Sequence, residues 1–415
     1  MTTASRSSGN QERPRLTILS LSPIARDARV LREIEAAAET YAVTVVGWGA
    51  LDRPRPGVEN RPVAQVRLSF PSRMLQVALV LLGRVWPGAF ARWYWRKPDH
   101  GAALRAVVAA EPELIHCNES IALPIALAAA RNTGARVLFD AHEYSLDHAT
   151  SDGLAGWLSQ PLSRWLVTEH APDADAMITV AQGIATRYAA DLGRPVGVVM
   201  NAPAYRALAF RPTDAERIRI VHHGAAMRAR RLERLIDTVA LCEERFSLEL
   251  MLVPTDPGHI DQLRAYADTH AQGRVTFRDP VMPAEIVRTI HETDVGLALI
   301  PPRDFSYLHC LPNKLFDFIM AGLAVVTGPS PEMARIVRTF SCGVVAPTFE
   351  PADLAAEINA LTPEAIDRMK QASLEAAGKL NAETEMNKLR ALYRELLAAK
   401  PTQDSTQENT PGSAQ

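Results

Sequence analysis

The stretch from His309 to Val326 reads HCLPNKLFDFIMAGLAVV and contains a complete helix pattern followed by a strand pattern. Pro312 fits the first turn of a helix, where a missing N–H costs nothing, and Gly322 fits the left-handed residue just beyond its end. Leu315, Phe318 and Ile319 recur at helical spacing, so they mark the core side. LAVV is a short apolar strand. Asn313, Lys314 and Asp317 fall off the apolar stripe, near the helix start. A helix N-terminus with a lysine in its first turn attracts phosphate, and a carboxylate one turn further in accepts hydrogen bonds from ribose hydroxyls. A polar helix face is also what solvent alone would select, so this segment raises a nucleotide site without fixing it.

The same alternation continues outward in both directions. RIRIVHHG, LELMLVP, RVTFRD and DVGLALIP precede the segment and GVVAP follows it, with helical patterns between. Earlier in the chain RLTILSL, AVTVVGW, ELIHC, VLFDAH and AMITV alternate with helices such as IALPIALAAAR and WLSQPLSRWLVTEHA. Alternation of this kind predicts an α/β fold with two Rossmann-like doubly wound domains in tandem. We expect a disordered leader over 1–14, a first domain over 15–203 and a second over 204–381. A helix over 382–400 is expected to cross back onto the first domain, ahead of a polar, disordered tail at 401–415. Two such sheets direct their strand carboxyl ends toward one central cleft.

Composition narrows the function classes. The 415 residues are 47% apolar with a formal net charge of -2. That balance lacks the excess positive charge that draws a chain to nucleic acid. Cys117, Cys242, Cys310 and Cys342 show neither metal-ligand nor CxxC spacing, which suits reduced thiols in a cytoplasmic protein. The opening MTTASRSSGNQERPR has no apolar core of a secretory signal. Between Met74 and Lys97 the uninterrupted apolar run stops at Arg84, too short to span a bilayer. Trp86, Trp93 and Trp95 lie there among Arg84, Arg92, Arg96 and Lys97. That segment reads either as a helical hairpin packed on its own domain or as a peripheral contact with the inner face of the cytoplasmic membrane.

Neither strand–helix junction carries GxGxxG or GxxxxGK[ST], which argues against dinucleotide and P-loop sites. After the first strand, Asp27 reads as a helix cap or as an acceptor-side ligand, with Arg26 beside it. PDADAM holds Asp173 and Asp175 in an Asp-x-Asp arrangement just before a strand.

Together these pieces resemble the GT-B glycosyltransferases, and within them family 4. The resemblance runs from Arg15 to about Val337 and rests on PIARDARVLREI, LFDAHEY, DAMITVAQGIATRYA, VVMNAP, VHHGAAMRARRLERLI and the segment quoted first. In that family a Glu, seven residues and a second Glu bracket the helix start. The resemblance puts Asp317 in the place of the second, ribose-binding Glu and His309 in the place of the first, a departure. It implies a diphosphate clamp in which Gly224 is kept, Ala225 replaces an Arg, and Arg230 supplies the distal cation, with Arg228 as a substitute. It makes His142 the residue that contacts the donor sugar, with Glu143 beside it to orient a hydroxyl. It gives the Asp-x-Asp pair no metal role. The implied reaction moves a sugar from a nucleoside-diphosphate donor to an acceptor hydroxyl with retention. It needs no metal or organic cofactor, and the acceptor is left open. The alternatives are a nucleotide-sugar epimerase of the same fold and a degenerate binding subunit, the latter suggested by Ala225 and His309.

Overall fold

The computed structural model describes residues 13–146 and 153–399, so the expected leader (but for its last two residues) and tail lie outside the described residues. Its first sheet has seven parallel strands: β1 (Arg15–Pro23), β2 (Ala42–Trp48), β3 (Val58–Val63), β4 (Leu114–Asn118), β5 (Arg136–Ala141), β6 (Ala176–Thr179) and β7 (Gly197–Val198). They are ordered β3-β2-β1-β4-β5-β6-β7. Central strands read as near-continuous apolar runs because helices cover both faces, and β4 is buried throughout. The reversal of strand order between β1 and β4 opens a crevice at their carboxyl ends, the place where such sheets bind ligands.

The second sheet has six parallel strands: β8 (Ile218–Ala225), β9 (Phe246–Val253), β10 (Val275–Arg278), β11 (Val295–Ala298), β12 (Ala324–Thr327) and β13 (Gly343–Val345). Their order is β10-β9-β8-β11-β12-β13, with its own reversal between β8 and β11. The fold is thus the expected pair of Rossmann-like sheets around a cleft. β3 is an element the periodicity did not predict. Its sequence VENRPV is polar and holds Pro62, which an edge strand tolerates.

The helix Ala382–Ala398 leaves the second sheet and packs on the first domain. Met386, Leu389, Tyr393 and Leu396 are buried against Ile34, Ala37 and Tyr41. The Tyr393 hydroxyl lies 2.6 Å from Nδ1 of His116 on β4, and Arg390 pairs with Glu39 at 2.7 Å. Burial of an apolar side chain is worth about 1.5–3 kcal/mol each, so the helix is a substantial part of that domain's core.

Residues 70–95 form two helices, Phe70–Gly83 and Gly88–Trp95. Phe90 and Tyr94 face inward, and the Tyr94 hydroxyl donates to the Ile121 carbonyl. Outward-facing Phe70, Met74, Leu81, Leu82, Val85 and Trp86 are exposed, Phe70 by 74% and Val85 by 82%. Among the described residues no helix is long and apolar enough to cross a membrane.

Candidate active site

Both crevices open into one cleft of about 600 Å³ between the domains. The first domain lines it with Arg26, Asp27, Arg29, Glu119, His142, Glu143 and Asn201, and the second with Arg230, Tyr307, Cys310 and Asn313. Side-chain-to-backbone hydrogen bonds join the two domains beside it. The Ser306 hydroxyl accepts from the Tyr144 N–H at 3.0 Å and donates to the Tyr144 carbonyl at 3.1 Å, while Glu332 accepts from the Gly183 N–H at 2.7 Å.

Behind the second-domain wall, Gly224 is the penultimate residue of β8, with φ 132, a conformation that favours glycine. A Cβ at this position would lie 3.4 Å from Nη1 of Arg230 and 3.5 Å from Nζ of Lys314. Both side chains therefore converge on this point of the backbone, at ordinary van der Waals distance from where a Cβ would stand. Nε of Arg230 is buried with no hydrogen-bond partner among the described residues. Lys314 is held well below the ordinary lysine range, first by burial and then by Arg230. Its Nζ donates to Nε2 of His222 at 2.7 Å, while His222 Nδ1–H donates to the Leu297 carbonyl at 2.8 Å. An arginine with one donor unpaired, beside a lysine whose charge burial opposes, makes a corner that an anion would satisfy.

The helix Asn313–Met320 is buried on nearly every side, because it packs on β8, β11 and β12 and under the helix Pro363–Ala377. That corrects the expectation that Lys314 and Asp317 lie on an open face, for only Asn313 is exposed. The Asn313 side-chain oxygen accepts from Asn201 at 2.8 Å. Asp317 is pushed up to about 7 by burial, which outweighs the attraction of Arg32 and Lys314. Arg32 reaches over from the first domain, and its Nη2 is buried with no hydrogen-bond partner among the described residues.

Two other expectations are corrected. Arg228 is exposed and turns away from the cleft: its side chain donates to Gln262 at 2.7 Å and its N–H to Asp256 at 3.0 Å. The short 3-10 turn Arg228–Arg230 aims its two ends in different directions, leaving Arg230 as the cleft cation. His309 is not on the cleft wall. It stacks on Phe305 at 4.3 Å and points to the interdomain seam, with Nδ1 3.8 Å from Glu332.

On the first-domain wall, Asp27 is the helix cap, accepting from the Val30 N–H at 3.2 Å and from Ser22 at 2.9 Å, while Arg26 is exposed beside it. His142 follows β5 and places Nδ1 2.9 Å from Glu119 Oε1 and Nε2 2.9 Å from Asn118 Oδ1. Behind it Arg29 is buried between Asp140 at 2.6 Å and Glu33 at 3.1 Å. Glu143 is exposed in the cleft, and Tyr188 holds its loop by donating to the Glu143 carbonyl at 2.7 Å. Asp173 and Asp175 pair with Arg131 and Arg136 away from the cleft, as structural ion pairs. Cys310, a free thiol on the cleft wall, is pushed up to about 11 by burial. Sequence reasoning missed Glu119, Arg32 and Asn201. Only the position of Glu119, just past an apolar strand at its carboxyl end, could have flagged it.

Known proteins corroborate this architecture. A model described as Glycosyltransferase Family 4 matches residues 29–203, and one described as Glycosyl transferases group 1 matches residues 217–363. Between them they span most of the chain, which belongs to the group 1 glycosyltransferases, with the family 4 type of first domain. It is a glycosyltransferase of the GT-B fold. A sucrose-phosphate synthase from Thermosynechococcus elongatus superposes with TM-score 0.72 at 15% identity, over 94% of this chain and 100% of that one. Anabaena HepE in complex with UDP gives TM-score 0.67 at 13% identity, over 92% and 100%. An E. coli trehalose-6-phosphate structure bound with UDP-2-fluoro glucose gives 0.60 at 13%, over 94% and 100%. No curated protein matches the chain in sequence.

Proposed function

We propose that this chain transfers a sugar from a nucleoside-diphosphate donor to an acceptor hydroxyl with retention of anomeric configuration. The carrying observation is the corner at Gly224, where Arg230 and Lys314 converge and a guanidinium nitrogen stands unpaired. A leaving nucleoside diphosphate gains negative charge as the glycosidic bond breaks, so cations already in place stabilise the transition state more than the bound donor. Asp317, one turn further along the helix, suits the ribose hydroxyls. Retention follows if the departing phosphate itself takes the acceptor proton on the same face of the sugar. Closure of the two domains would keep water out and favour transfer over hydrolysis.

UDP or a UDP-sugar analogue occupies two of the structures this chain resembles, which favours uracil as the base. The test is a thermal-shift and calorimetric comparison of UDP, GDP and ADP, followed by transfer assays with sugars of the preferred base. Absence of binding by every nucleoside diphosphate at millimolar concentration would sink the donor reading.

The acceptor side carries a second element of the reading. Exposed Phe70, Val85 and Trp86 sit among exposed Arg73, Arg84, Arg92 and Arg96. Arg84 stacks over Trp157 with its guanidinium 3.4 Å from the ring centre, and Arg92 lies 4.5 Å over Trp86. An apolar face rimmed by cations suits the boundary of an anionic bilayer. Tyr94 ties this hairpin to Ile121, two residues past Glu119 on the cleft wall. Such a surface would bring a lipid-linked acceptor to the mouth of the cleft.

A further inference from the structure

Resting on the donor reading above, we propose that Glu119 is the group through which this cleft holds a sugar hydroxyl, and that His142 is the imidazolium that fixes its carboxylate.

Hydrogen-bond direction fixes the protonation of the ring. The Asn118 side-chain N–H donates to Glu33 Oε2 at 3.0 Å, which orients the amide so that its oxygen faces His142. An amide oxygen only accepts, so Nε2 of His142 must be protonated. Nδ1 faces the Glu119 carboxylate at 2.9 Å and donates as well. A ring that donates from both nitrogens is charged. Burial opposes that charge, yet Glu119 and Asp140 outweigh it and push His142 up to about 9. The charged groups facing the ring are Glu119 past β4, Asp140 on β5 with Oδ2 3.8 Å from Nε2, and Arg29 and Glu33 on the helix Ala28–Ala38.

Both nitrogens are thereby engaged. His142 has no lone pair to act as a base and no N–H left over for a ligand. The exposed member of the pair is Glu119: its side chain is 42% exposed against 17% for His142. Its second oxygen has no hydrogen-bond partner among the described residues, and the residue lines the cleft.

The backbone supports the same assignment. Glu119 has φ 68 and ψ 146, a region that side-chain-bearing residues rarely occupy. Its N–H donates to the Asp140 carbonyl at 3.0 Å and its own carbonyl accepts from the Ala122 N–H at 3.1 Å, so the strained geometry is held from both sides. Glycine would serve the turn better. A glutamate kept there is spent on where its carboxylate points.

The experiment uses the full chain with labelled histidine, following the His142 ring by NMR from pH 5 to 10 beside donor kinetics and UDP calorimetry. We expect wild-type His142 to keep both N–H protons past pH 8 and Glu119→Gln to lower its titration midpoint by at least one pH unit. We also expect Glu119→Gln to lower kcat/KM at least tenfold while leaving the UDP dissociation constant within twofold. Glu119→Gly, which relieves the backbone, should fold at least as well and lose transfer equally. A wild-type His142 that titrates near 6.5, a midpoint indifferent to Glu119→Gln, or full transfer by both variants would each overturn the proposal. Failure of UDP to bind would instead defeat the donor reading, while the NMR titration would still decide the His142–Glu119 pair.

Discussion

His223 Nε2 stands 3.4 Å from Asp317 Oδ2, and both side chains are almost wholly enclosed. Burial first, and Lys314 next, drive His223 down to about 3, so it is neutral and offers no counter-charge. Asp317 is accordingly pushed up to about 7. A carboxyl whose folded value exceeds its unfolded value holds its proton longer in the native state. Stability from this group is therefore full below about 4 and is lost as pH rises toward about 7. Asp317→Asn should stabilise the ligand-free protein at pH 8 by on the order of 2–4 kcal/mol, since each tenfold change in proton affinity between folded and unfolded chain is worth about 1.4 kcal/mol. The gain should shrink at pH 5. Denaturant unfolding at both values checks this, and equal effects at the two would refute it.

The same residue predicts the opposite for the donor. Ribose hydroxyls need an acceptor, so wild-type affinity for the nucleoside diphosphate should rise as pH climbs through about 7 and Asp317 ionises. Asp317→Asn should bind more weakly at pH 8, by about 5- to 150-fold for a loss of roughly 1–3 kcal/mol. Calorimetry across pH 6 to 8.5 measures both the slope and its loss in the variant.

Arg230→Gln removes the cation whose Nε is unpaired at the Gly224 corner. A charge-assisted bond to phosphate is worth about 1.5–3 kcal/mol, so the dissociation constant of the diphosphate should rise about 10-fold or more. Arg228→Gln, on the far side of the same turn, should leave it unchanged. Equal effects of the two would move the anion out of this corner.

Because Arg230 supplies the positive charge at that corner and a bound diphosphate would favour the charged form of Lys314 beside it, transfer should survive EDTA without loss. Activity abolished by chelation and restored by a divalent ion would show that protein cations alone are insufficient.

Co-sedimentation tests the hairpin. The protein should pellet with anionic vesicles at low salt and be released as salt rises, since each cation near such a surface contributes about 1 kcal/mol and is screened. Phe70→Ser with Val85→Ser should weaken binding to the vesicles without unfolding the protein, because both side chains are exposed. Wild type left in the supernatant with anionic vesicles would make the patch unrelated to lipid.

Much of this architecture was legible because parallel strands buried on both faces are written as apolar runs, as in LTILSL and VGLALI. VENRPV was not, because an edge strand takes its hydrogen bonds from one neighbour and carries no such signature. At the site, the order Gly224, Arg230, Lys314, Asp317 was readable from spacing and resemblance. Direction was not: nothing in MRARR says that Arg230 turns inward and Arg228 outward, since that is fixed by Gln262 and Asp256 from a distant helix and loop. Nor could spacing show that Asp317 is enclosed, because the helix that covers it comes from residues 363–377. Glu119 was hidden for a further reason, its role depending on a backbone conformation that propensities assign to glycine.

The contact between Tyr393 and His116 also bears on how the chain comes off the ribosome. The strands of the first sheet are all synthesised before Ile218, yet the helix that seals the face around Tyr41 and Ile34 emerges only after the entire second sheet. Until then the nascent first domain exposes an unsealed apolar face and lacks the hydroxyl that His116 meets. Domains that normally complete themselves in order during translation would here be finished in reverse, the second closing before the first. A released chain that stops at residue 381 should therefore display a protease-sensitive first domain beside a resistant second one.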